Sequence, residues 1–558
     1  MSRSETRSTH PLHGTFRVWS GEPDAGGAPS REERVTVHFD GEIYNARQLE
    51  NRLAKAGTTV PERDPHALLS ALYRARGERF RDELDGTYAL VVTDRRKSPR
   101  LFAATDGSGV KTLYFAWDSG AGRLSFASSL PALVTMPGVR AAEHEFGLHE
   151  YLCGGVPLGE RTMFRGIRAL APGAALSAGP DGGPRGLAPG EEGPWDTGLP
   201  EAVPSVSFSA GNPAEELKAL LADEAAALLA DEDRVFLLSP PSPAADLLAS
   251  LVTRPGRTSR GFGSTAIAAA ELPGALALAQ RLLGQPHADP GILKTLALCR
   301  AARDAGGGAV LTADGADELF IGHDHMASAL AAPTGLRWVD AYLNRIAVVP
   351  ASFCRLLYTP EYAAAVRKRE PESAGDMSAV LSGGRRGRLQ RIITAERYHR
   401  LPARRLHGLA RLTADSGLRL ALPFCRPRLS RFAAALSATT DTRTPEPIRT
   451  LHAAADGCGT GAPHRRAAPE QDAASLLVPG RPLWEVARDA LSETALIADG
   501  RLQLRTVQAL FREQARAPSE RVAGVLWALL SHQFWRHEFF GETRWMAAPP
   551  DTVGTRFT

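Results

Sequence analysis

Residues 235–248 read Val235-Phe236-Leu237-Leu238-Ser239-Pro240-Pro241-Ser242-Pro243-Ala244-Ala245-Asp246-Leu247-Leu248. The apolar run at 235–238 predicts a buried strand, and residues 244–251 predict the helix that follows it. A strand–loop–helix corner of this kind is where α/β folds hold phosphate groups, because the first backbone N–H groups of the helix face the ligand. Three residues of this loop are proline, which has no N–H and holds φ at about −65°. The corner therefore predicts an α/β fold whose phosphate-binding loop has lost three hydrogen-bond donors.

A second segment, further along the chain, reads Val310-Leu311-Thr312-Ala313-Asp314-Gly315-Ala316-Asp317-Glu318-Leu319-Phe320-Ile321-Gly322. It resembles a signature of the asparagine synthetase family, Leu-Thr-Gly-Asp-Gly-Ala-Asp-Glu-Leu-Phe-Gly-Gly-Tyr, at most positions. In that family the corner equivalent to 235–248 has the form Ser-Gly-Gly-Leu-Asp-Ser, so prolines stand here in place of both glycines and the aspartate. Residues 418–429 and 526–535 resemble later segments of the family, in the expected order.

The N-terminal half carries a further motif, Phe39-Asp40-Gly41-Glu42-Ile43-Tyr44-Asn45. It resembles Asn-Gly-Glu-Ile-Tyr-Asn of class II glutamine amidotransferase domains, which precede the synthetase domain in asparagine synthetases. The resemblance implies an α+β sandwich of the Ntn type, followed by an α/β synthetase domain of the adenine-nucleotide α-hydrolase (PP-loop) type with helical additions. We expect the amidotransferase-like domain at 1–178, a linker at 179–213, the synthetase-like domain at 214–545 and a tail at 546–558.

The glutamine-hydrolysing half departs from its family. The family uses an N-terminal cysteine as nucleophile, whereas this chain begins Met1-Ser2 and has cysteines at 153, 299, 354, 425 and 458. Asp40 stands where the family has the asparagine of the oxyanion site, and a carboxylate there would repel the developing negative charge. We therefore expect glutaminase activity to be lost, leaving a degenerate glutamine site that comprises Asp40, Gly41, Glu42 and Asp64. Asp64 is expected to keep a structural hydrogen-bonding role.

For the synthetase half, the resemblance implies ATP-dependent amide-bond formation, in which a carboxylate is adenylated and then attacked by an amine. Among relatives, it points to the β-lactam synthetases and lasso-peptide cyclases, which also lack the cysteine. The cofactors would be ATP and Mg²⁺. The implied roles are catalytic for Asp314, magnesium-binding for Asp317, and nucleotide-binding for Leu238, Ser239, Phe262, Thr312 and Ala313.

Several charged positions of the synthetase half also differ from the family. No lysine follows Lys368, and residues 463–469 offer arginines where the family places a late lysine. Arg419 and Arg426 replace two acidic residues of the family segment Leu-Glu-Val-Arg-Val-Pro-Phe-Leu-Asp. Arginine differs from lysine, and from the acidic residues, in shape and in the hydrogen bonds that it can form. Core positions are kept while ligand-contacting positions change, which indicates a preserved fold with an altered site.

Two functions of different class remain open from the sequence. One is an ATP-dependent ligase in a peptide or specialised-metabolite pathway, acting on a precursor peptide or a small carboxylate. The other is a catalytically inactive family member that serves as a scaffold or partner of an active enzyme or peptide. The acidic residues Asp314, Asp317 and Glu318 fit either a ligand site or the N-cap of a helix. The pair His323 and His325 is predicted to lie on a solvated helix.

The composition of the chain limits its expected partners and cellular compartment. The net charge of +4 is nearly neutral, and the arginine clusters have no aromatic stripe beside them, so no nucleic-acid partner is expected. Five cysteines without paired spacing suggest a reducing compartment. No apolar run reaches the roughly 18 residues that a membrane span needs, so no membrane partner is expected. We predict a cytoplasmic protein.

Periodicity also predicts individual elements of both domains. The expected strands are 35–39, 88–93, 101–104 and 124–126, with a first strand near 16–19. The expected helices are 46–56, 66–76, 146–151, 164–170 and 214–230.

Overall fold

The computed structural model describes residues 7–8, 12–17, 34–61, 64–180, 182–187, 212–230, 232–252, 258–261, 267–333, 337–373, 375–383, 387–438, 446–456, 458 and 472–541. The N-terminal domain is built mainly of antiparallel strands. Its strands are β1 (Arg7–Ser8), β2 (His13–Arg17), β3 (Val35–Ile43), β4 (Gly86–Asp94), β5 (Arg100–Thr105), β6 (Tyr114–Asp118), β7 (Arg123–Ala127), β8 (Ile167–Ala169), β9 (Ala175–Gly179) and β10 (Gly182–Leu187). Its helices are α1 (Ala46–Lys55), α2 (Pro65–Arg76), α3 (Leu130–Val134) and α4 (Gly147–Gly154).

These strands form two sheets, in the orders β1-β3-β4-β5-β9-β10 and β2-β7-β6-β8. Alternation along β4 decides how they pack, because successive side chains of a strand point to opposite faces. Ala89 and Val91 pack against Phe126 of the second sheet. Leu90 packs instead with Leu49 of α1 in the cluster that covers the other face. The result is an α+β sandwich with helices on one outer face.

The C-terminal domain contains a four-stranded parallel sheet in the order β12-β11-β13-β14. Its strands are β11 (Arg234–Leu237), β12 (Thr258–Gly261), β13 (Ala309–Leu311) and β14 (Arg419–Ala421). Helices surround the sheet and continue beyond it: α5 (Pro213–Leu228), α6 (Pro243–Val252), α7 (Leu272–Leu283), α8 (Gly291–Asp304), α9 (Ala316–Phe320), α10 (Asp324–Ala331), α11 (Trp338–Ile346), α12 (Ala351–Leu357), α13 (Pro360–Ser373), α14 (Gly375–Ser382), α15 (Arg388–Ala395), α16 (His407–Asp415), α17 (Pro427–Ala438), α18 (Glu446–Ala455), α19 (Ala473–Leu476), α20 (Pro482–Ala490), α21 (Glu493–Asp499), α22 (Leu504–Arg516) and α23 (Glu520–Phe540).

Two turns of π-helix, Glu396–Arg400 and Pro402–Leu406, connect α15 to α16. Such wide turns are rare and often occur at functional sites. They place the side chains of Glu396 and Arg405 toward two clusters described below.

The two domains share one hydrophobic core around α23. The hydroxyl of Tyr151 in α4 donates a hydrogen bond to the carbonyl of Ala528, at 3.0 Å. The ring of Phe164 lies 5.3 Å from that of Trp535, edge to face. Because both domains bury residues in this cluster, their contact is a packed interior rather than a polar surface contact. None of the described helices is both long and apolar enough to cross a bilayer.

Most of the expected elements are observed, including the strand and helix on either side of the proline loop. The helix predicted at 164–170 is wrong: Gly166 has φ +78°, and residues 167–169 form β8, which pairs with β6. The start of the linker is displaced from 179 to beyond Leu187, because β10 pairs with β9. Residues 188–211 and the expected tail, 546–558, lie outside the described residues.

Candidate functional site

The carboxyl ends of β11 and β13 form the edge of the parallel sheet where a ligand site was expected. The N–H of Leu238 donates to the carbonyl of Leu311 at 2.8 Å. The hydroxyl of Ser239 accepts from the N–H of Ala313 at 2.8 Å and lies 3.3 Å from the hydroxyl of Thr312. The structure thus brings together four of the five predicted nucleotide-binding residues, whereas Phe262 lies outside the described residues.

The proline loop itself is closed by local hydrogen bonds. The hydroxyl of Ser242 accepts from the N–H of Ala245 at 3.2 Å, and its carbonyl accepts from the N–H of Asp246 at 2.9 Å. Helix α6 begins at Pro243, a favourable first residue because its missing N–H would have had no partner within the helix. The corner is a well-capped helix start, but two of its N–H groups are already used and three more are absent.

Asp314 is held by protein groups on both of its oxygens. The Nε of Arg405 donates to Oδ1 at 2.7 Å, and the hydroxyl of Thr312 donates to Oδ2. Arg405 also donates to the hydroxyl of Thr295 at 3.1 Å. Burial by itself would lower the pKa of Arg405, but Asp314 outweighs that effect and raises it. The predicted catalytic carboxylate is therefore the anion of an internal ion pair.

Asp317, the predicted magnesium ligand, lies in the first turn of the short helix α9. Burial raises the pKa of its carboxyl group. A Cβ placed on Gly322 would lie 2.0 Å from its Oδ1, so glycine is required there. The N-cap of α9 is Gly315, at φ +97°, and makes no side-chain cap. Asp314 therefore does not occupy the N-cap position of α9, whereas Asp317 and Glu318 lie in its first turn, as the helix-start alternative expects.

The prediction that His323 and His325 lie on a solvated helix is also wrong. The side chain of His325 is 13% exposed, and its Nε2 lies 2.5 Å from Glu396. The Nε2 of His323 lies 3.1 Å from Glu318, and the two imidazoles stack at 5.0 Å. Arg400 and Tyr342 also bind Glu396. Sequence spacing could not reveal the contact with Glu396, because this residue comes from a π-helical turn 71 residues away from His325.

In the N-terminal domain, Asp40 has become the buried anion of an ion pair. Its Oδ1 lies 2.6 Å from the ammonium of Lys111, and its Oδ2 accepts from the hydroxyl of Ser128 at 2.5 Å. Gly41, at φ +141°, lies so close to β4 that a Cβ would meet the carbonyl of Thr87. The carboxylate of Asp64 caps α2 by accepting from the N–H groups of His66 and Ala67, which confirms its expected structural role.

The two arginines that replace family acids connect the domains. Arg419 of β14 pairs with Glu42 of β3 through two contacts, at 2.5 and 3.0 Å. Arg426 donates to both oxygens of Asp85 at 2.7 and 2.8 Å, and to Glu224 at 2.7 Å. Its guanidinium also lies 4.5 Å from the ring centroid of Tyr44. Glu42, predicted as part of a degenerate glutamine site, is thus an interface residue.

The architecture is that of a two-domain protein of mixed α and β structure, with an antiparallel sandwich ahead of a parallel sheet whose strand ends carry Ser239 and Thr312. Sequence profiles agree: that of the glutamine amidotransferase domain matches residues 21–183, and that of asparagine synthase matches 263–537. The chain belongs to the asparagine synthetase family, whose general chemistry is ATP-dependent amide-bond formation. The asparagine synthase match begins beyond the proline loop.

Individual relatives match over limited stretches. Asparagine synthetase [glutamine-hydrolyzing] 3 of Bacillus subtilis (strain 168) is 28% identical over 178 residues, which are 31% of this chain and 28% of that protein. Asparagine synthetase [glutamine-hydrolyzing] 2 of Arabidopsis thaliana is 35% identical over 118 residues, 20% of this chain and 19% of that protein. The matches thus span less than a third of these relatives. Among solved structures, glutamine phosphoribosylpyrophosphate amidotransferase from B. subtilis, complexed with ADP and GMP, aligns with 41% of this chain and 43% of its own, at 16% identity and a TM-score of 0.21.

Proposed function

We propose that this chain is a catalytically inactive member of the asparagine synthetase family that serves in the cytoplasm as a scaffold or partner of an active enzyme or of a peptide substrate. The observation that carries the proposal is the pairing of Asp314 with Arg405 and Thr312. A carboxylate that is paired with an arginine and accepts a hydrogen bond on each oxygen is already charge-compensated, so its attraction for a metal ion is weakened. It stands beside a loop in which prolines replace three phosphate-binding donors.

The three backbone N–H groups that proline lacks allow an estimate of how much phosphate binding is weakened. A hydrogen bond to a charged group contributes about 1.5–3 kcal/mol. Three of them together are worth roughly 4–9 kcal/mol, which corresponds to a Kd weaker by about three orders of magnitude or more. Three neighbouring N–H groups are already engaged, since those of Ala245 and Asp246 donate to Ser242 and that of Ala313 donates to Ser239.

The glutaminase half supports the same conclusion. Asp40 presents a carboxylate already neutralised by Lys111, where catalysis would need a hydrogen-bond donor for an oxyanion. Glu42 is held by Arg419 across the domain interface and is not directed at a ligand. Both halves therefore keep their folds while the groups of their sites bind one another. Neither nucleic acid nor a membrane is part of this proposal.

A second candidate function rests on Asp317. Among the described residues its carboxylate forms no salt bridge, and it lies in the first turn of α9, the helix that follows β13. An ATP-dependent ligase could use this carboxylate for Mg²⁺ if the nucleotide avoided the proline loop. The amine and carboxylate would then come from a precursor peptide or a small metabolite.

Calorimetric titration with ATP and Mg²⁺ separates the two candidates. We expect no measurable binding by the natural chain and recovered binding by the triple variant Pro240→Gly, Pro241→Gly, Pro243→Asp. Pro137→Gly, in an exposed turn of the N-terminal domain, is the matched control and should remain silent. Tight, magnesium-dependent binding by the natural chain would contradict the proposal in favour of the ligase. Pyrophosphate release would then be measured with candidate carboxylates.

A further inference from the structure

The contact between helix α4 of the N-terminal domain and helix α12 of the C-terminal domain brings together three metal-binding side chains. His149 and Cys153 lie four residues apart on α4 and so share one helix face. Cys354 enters from α12. One ligand atom from each of the three lies within 4.8 Å of the others. From the sequence alone these cysteines had no paired spacing, because the fold joins residues about two hundred positions apart.

The distances suit one tetrahedral ion. Zinc binds thiolate sulfur at about 2.3 Å and imidazole nitrogen at about 2.0–2.1 Å, so a sulfur and a nitrogen on the same tetrahedral ion lie roughly 3.6 Å apart. The Sγ of Cys153 lies 3.8 Å from Nε2 of His149, close to this separation. It also lies 3.7 Å from Nδ1, so the imidazole has to turn to direct the Nε2 lone pair at the same ion. Two sulfurs and one imidazole also form a soft ligand set, which favours Zn²⁺ over Mg²⁺ or Ca²⁺.

The surroundings orient the imidazole for metal binding. Its Nδ1 forms a hydrogen bond of 3.0 Å with the hydroxyl of Tyr358, and this leaves Nε2 to face a metal. An outer hydrogen bond of this kind fixes the ring of most metal-binding histidines.

A second cluster of Glu318, His323 and Glu396 is also compact enough to surround an ion. There, however, the guanidinium of Arg400 already donates to Glu396 at 2.9 Å, and Tyr342 donates to the same carboxylate. A metal ion would have to displace a cation from a buried anion. The cluster reads as an internal ion-pair network, so the cysteine cluster is the stronger candidate.

We propose that His149, Cys153 and Cys354 bind one Zn²⁺ ion that joins the two domains, with a water molecule as the fourth ligand. His149 and Cys153 are half-buried, which gives the ion a path from solvent, while Cys354 anchors the site in the interior. Zinc with three protein ligands and one open position is a common arrangement. The site lies in the shared core rather than at the sheet edge, so it does not depend on the function proposed above.

The test uses the full-length chain, reduced, stripped with a chelator and titrated first with Co²⁺ and then with Zn²⁺. We expect one equivalent of Co²⁺ with thiolate-to-cobalt charge-transfer absorption and tetrahedral d–d bands, both abolished when Zn²⁺ displaces it. Cys153→Ser and Cys354→Ser should each lose charge-transfer intensity. Tyr358→Phe, which removes the positioning hydrogen bond, should bind about tenfold more weakly. Zinc should raise the Tm of the natural chain but not that of Cys354→Ser.

Two controls make the result specific. Cys299→Ser removes a buried thiol of α8 outside the cluster and should bind like the natural chain. Glu318→Gln alters the second cluster and should also leave the cobalt spectrum unchanged. Cobalt bands without thiolate charge transfer in the natural chain would overturn the proposal without recourse to any variant. So would full binding by Cys354→Ser, or a Cys153–Cys354 disulfide that forms equally in the presence of zinc.

Discussion

The two regions in which the sequence predicts ligand sites differ in how their acidic groups are paired. In the N-terminal domain, each of the two acidic groups has a cationic partner, Lys111 for Asp40 and Arg419 for Glu42. In the C-terminal domain, the loop that follows β11 carries Pro240, Pro241 and Pro243, and Asp314 is paired with Arg405. The Glu42–Arg419 pair joins the two domains, whereas the Asp314–Arg405 pair lies within the C-terminal domain. Substitutions in the interface ion pairs should therefore change the free energy of unfolding, whereas substitutions in the proline loop should change only ATP binding.

The comparison predicts the largest effect at Arg419. Arg419→Met should lower the free energy of unfolding by about 3–5 kcal/mol, because Glu42 would be left as a buried carboxylate without its partner. Chemical denaturation measures the change. The double variant Glu42→Gln, Arg419→Met should recover much of the loss, since no buried charge remains. Equal loss in both variants would mean that packing, and not charge, sets the role of this pair.

A pH-dependent effect is expected from Glu396. Burial would raise its pKa, but His325, Arg400 and Tyr342 together lower it to about 2 from the ordinary 4.5. A carboxyl with a lowered folded-state pKa stabilises the protein above its unfolded pKa, and this stability is lost as pH falls. The contribution is about 3 kcal/mol, lost between roughly pH 4.5 and 2.

Unfolding free energies of the natural chain and Glu396→Gln, measured at several pH values, check this expectation. The difference between the two proteins should be largest at neutral pH and shrink as the medium is acidified. Asp118→Asn, which removes a half-exposed carboxylate from the N-terminal domain, is the control and should give a nearly constant difference. A pH-independent difference for Glu396→Gln would contradict the ion-pair network in this cluster.

At the former glutamine site, Asp40→Asn restores the residue type of the family motif. We expect a destabilisation of about 2 kcal/mol, because charge-assisted hydrogen bonds from Lys111 and Ser128 are replaced by neutral ones. Glutamate release from glutamine should stay undetectable, since the restored amide has no cysteine nucleophile beside it. Thermal unfolding measures the loss of stability, and a glutaminase assay on the same preparation measures glutamate release. Glutaminase activity in Asp40→Asn would contradict the proposal that this domain is catalytically inactive.

Sequence patterns located the edge of the parallel sheet but not the ion pairs that its acidic residues form. Periodicity and the family signatures placed Ser239 and Thr312 at the ends of β11 and β13, where the structure has them, because a strand end fixes its neighbours within a few residues. The partners of those residues could not be found in that way. Arg405 reaches Asp314 from a π-helical turn 91 residues away, and Arg419 meets Glu42 across 377 residues. Such pairs depend on tertiary packing, which leaves no local pattern in one sequence.

The smallest predicted effect separates a structural role from a ligand role at Asp64. Asp64→Ala should lower the free energy of unfolding by about 1 kcal/mol, because the N–H groups of His66 and Ala67 lose their cap at the start of α2. Asp64→Asn, which keeps an acceptor oxygen, should stay within a few tenths of a kcal/mol of the natural chain. Denaturant unfolding resolves this difference, and equilibrium dialysis with glutamine should show no binding by any of the three. If Asp64 bound glutamine, the natural chain would bind it and Asp64→Ala would not. If Asp64 only caps α2, the substitution changes stability alone.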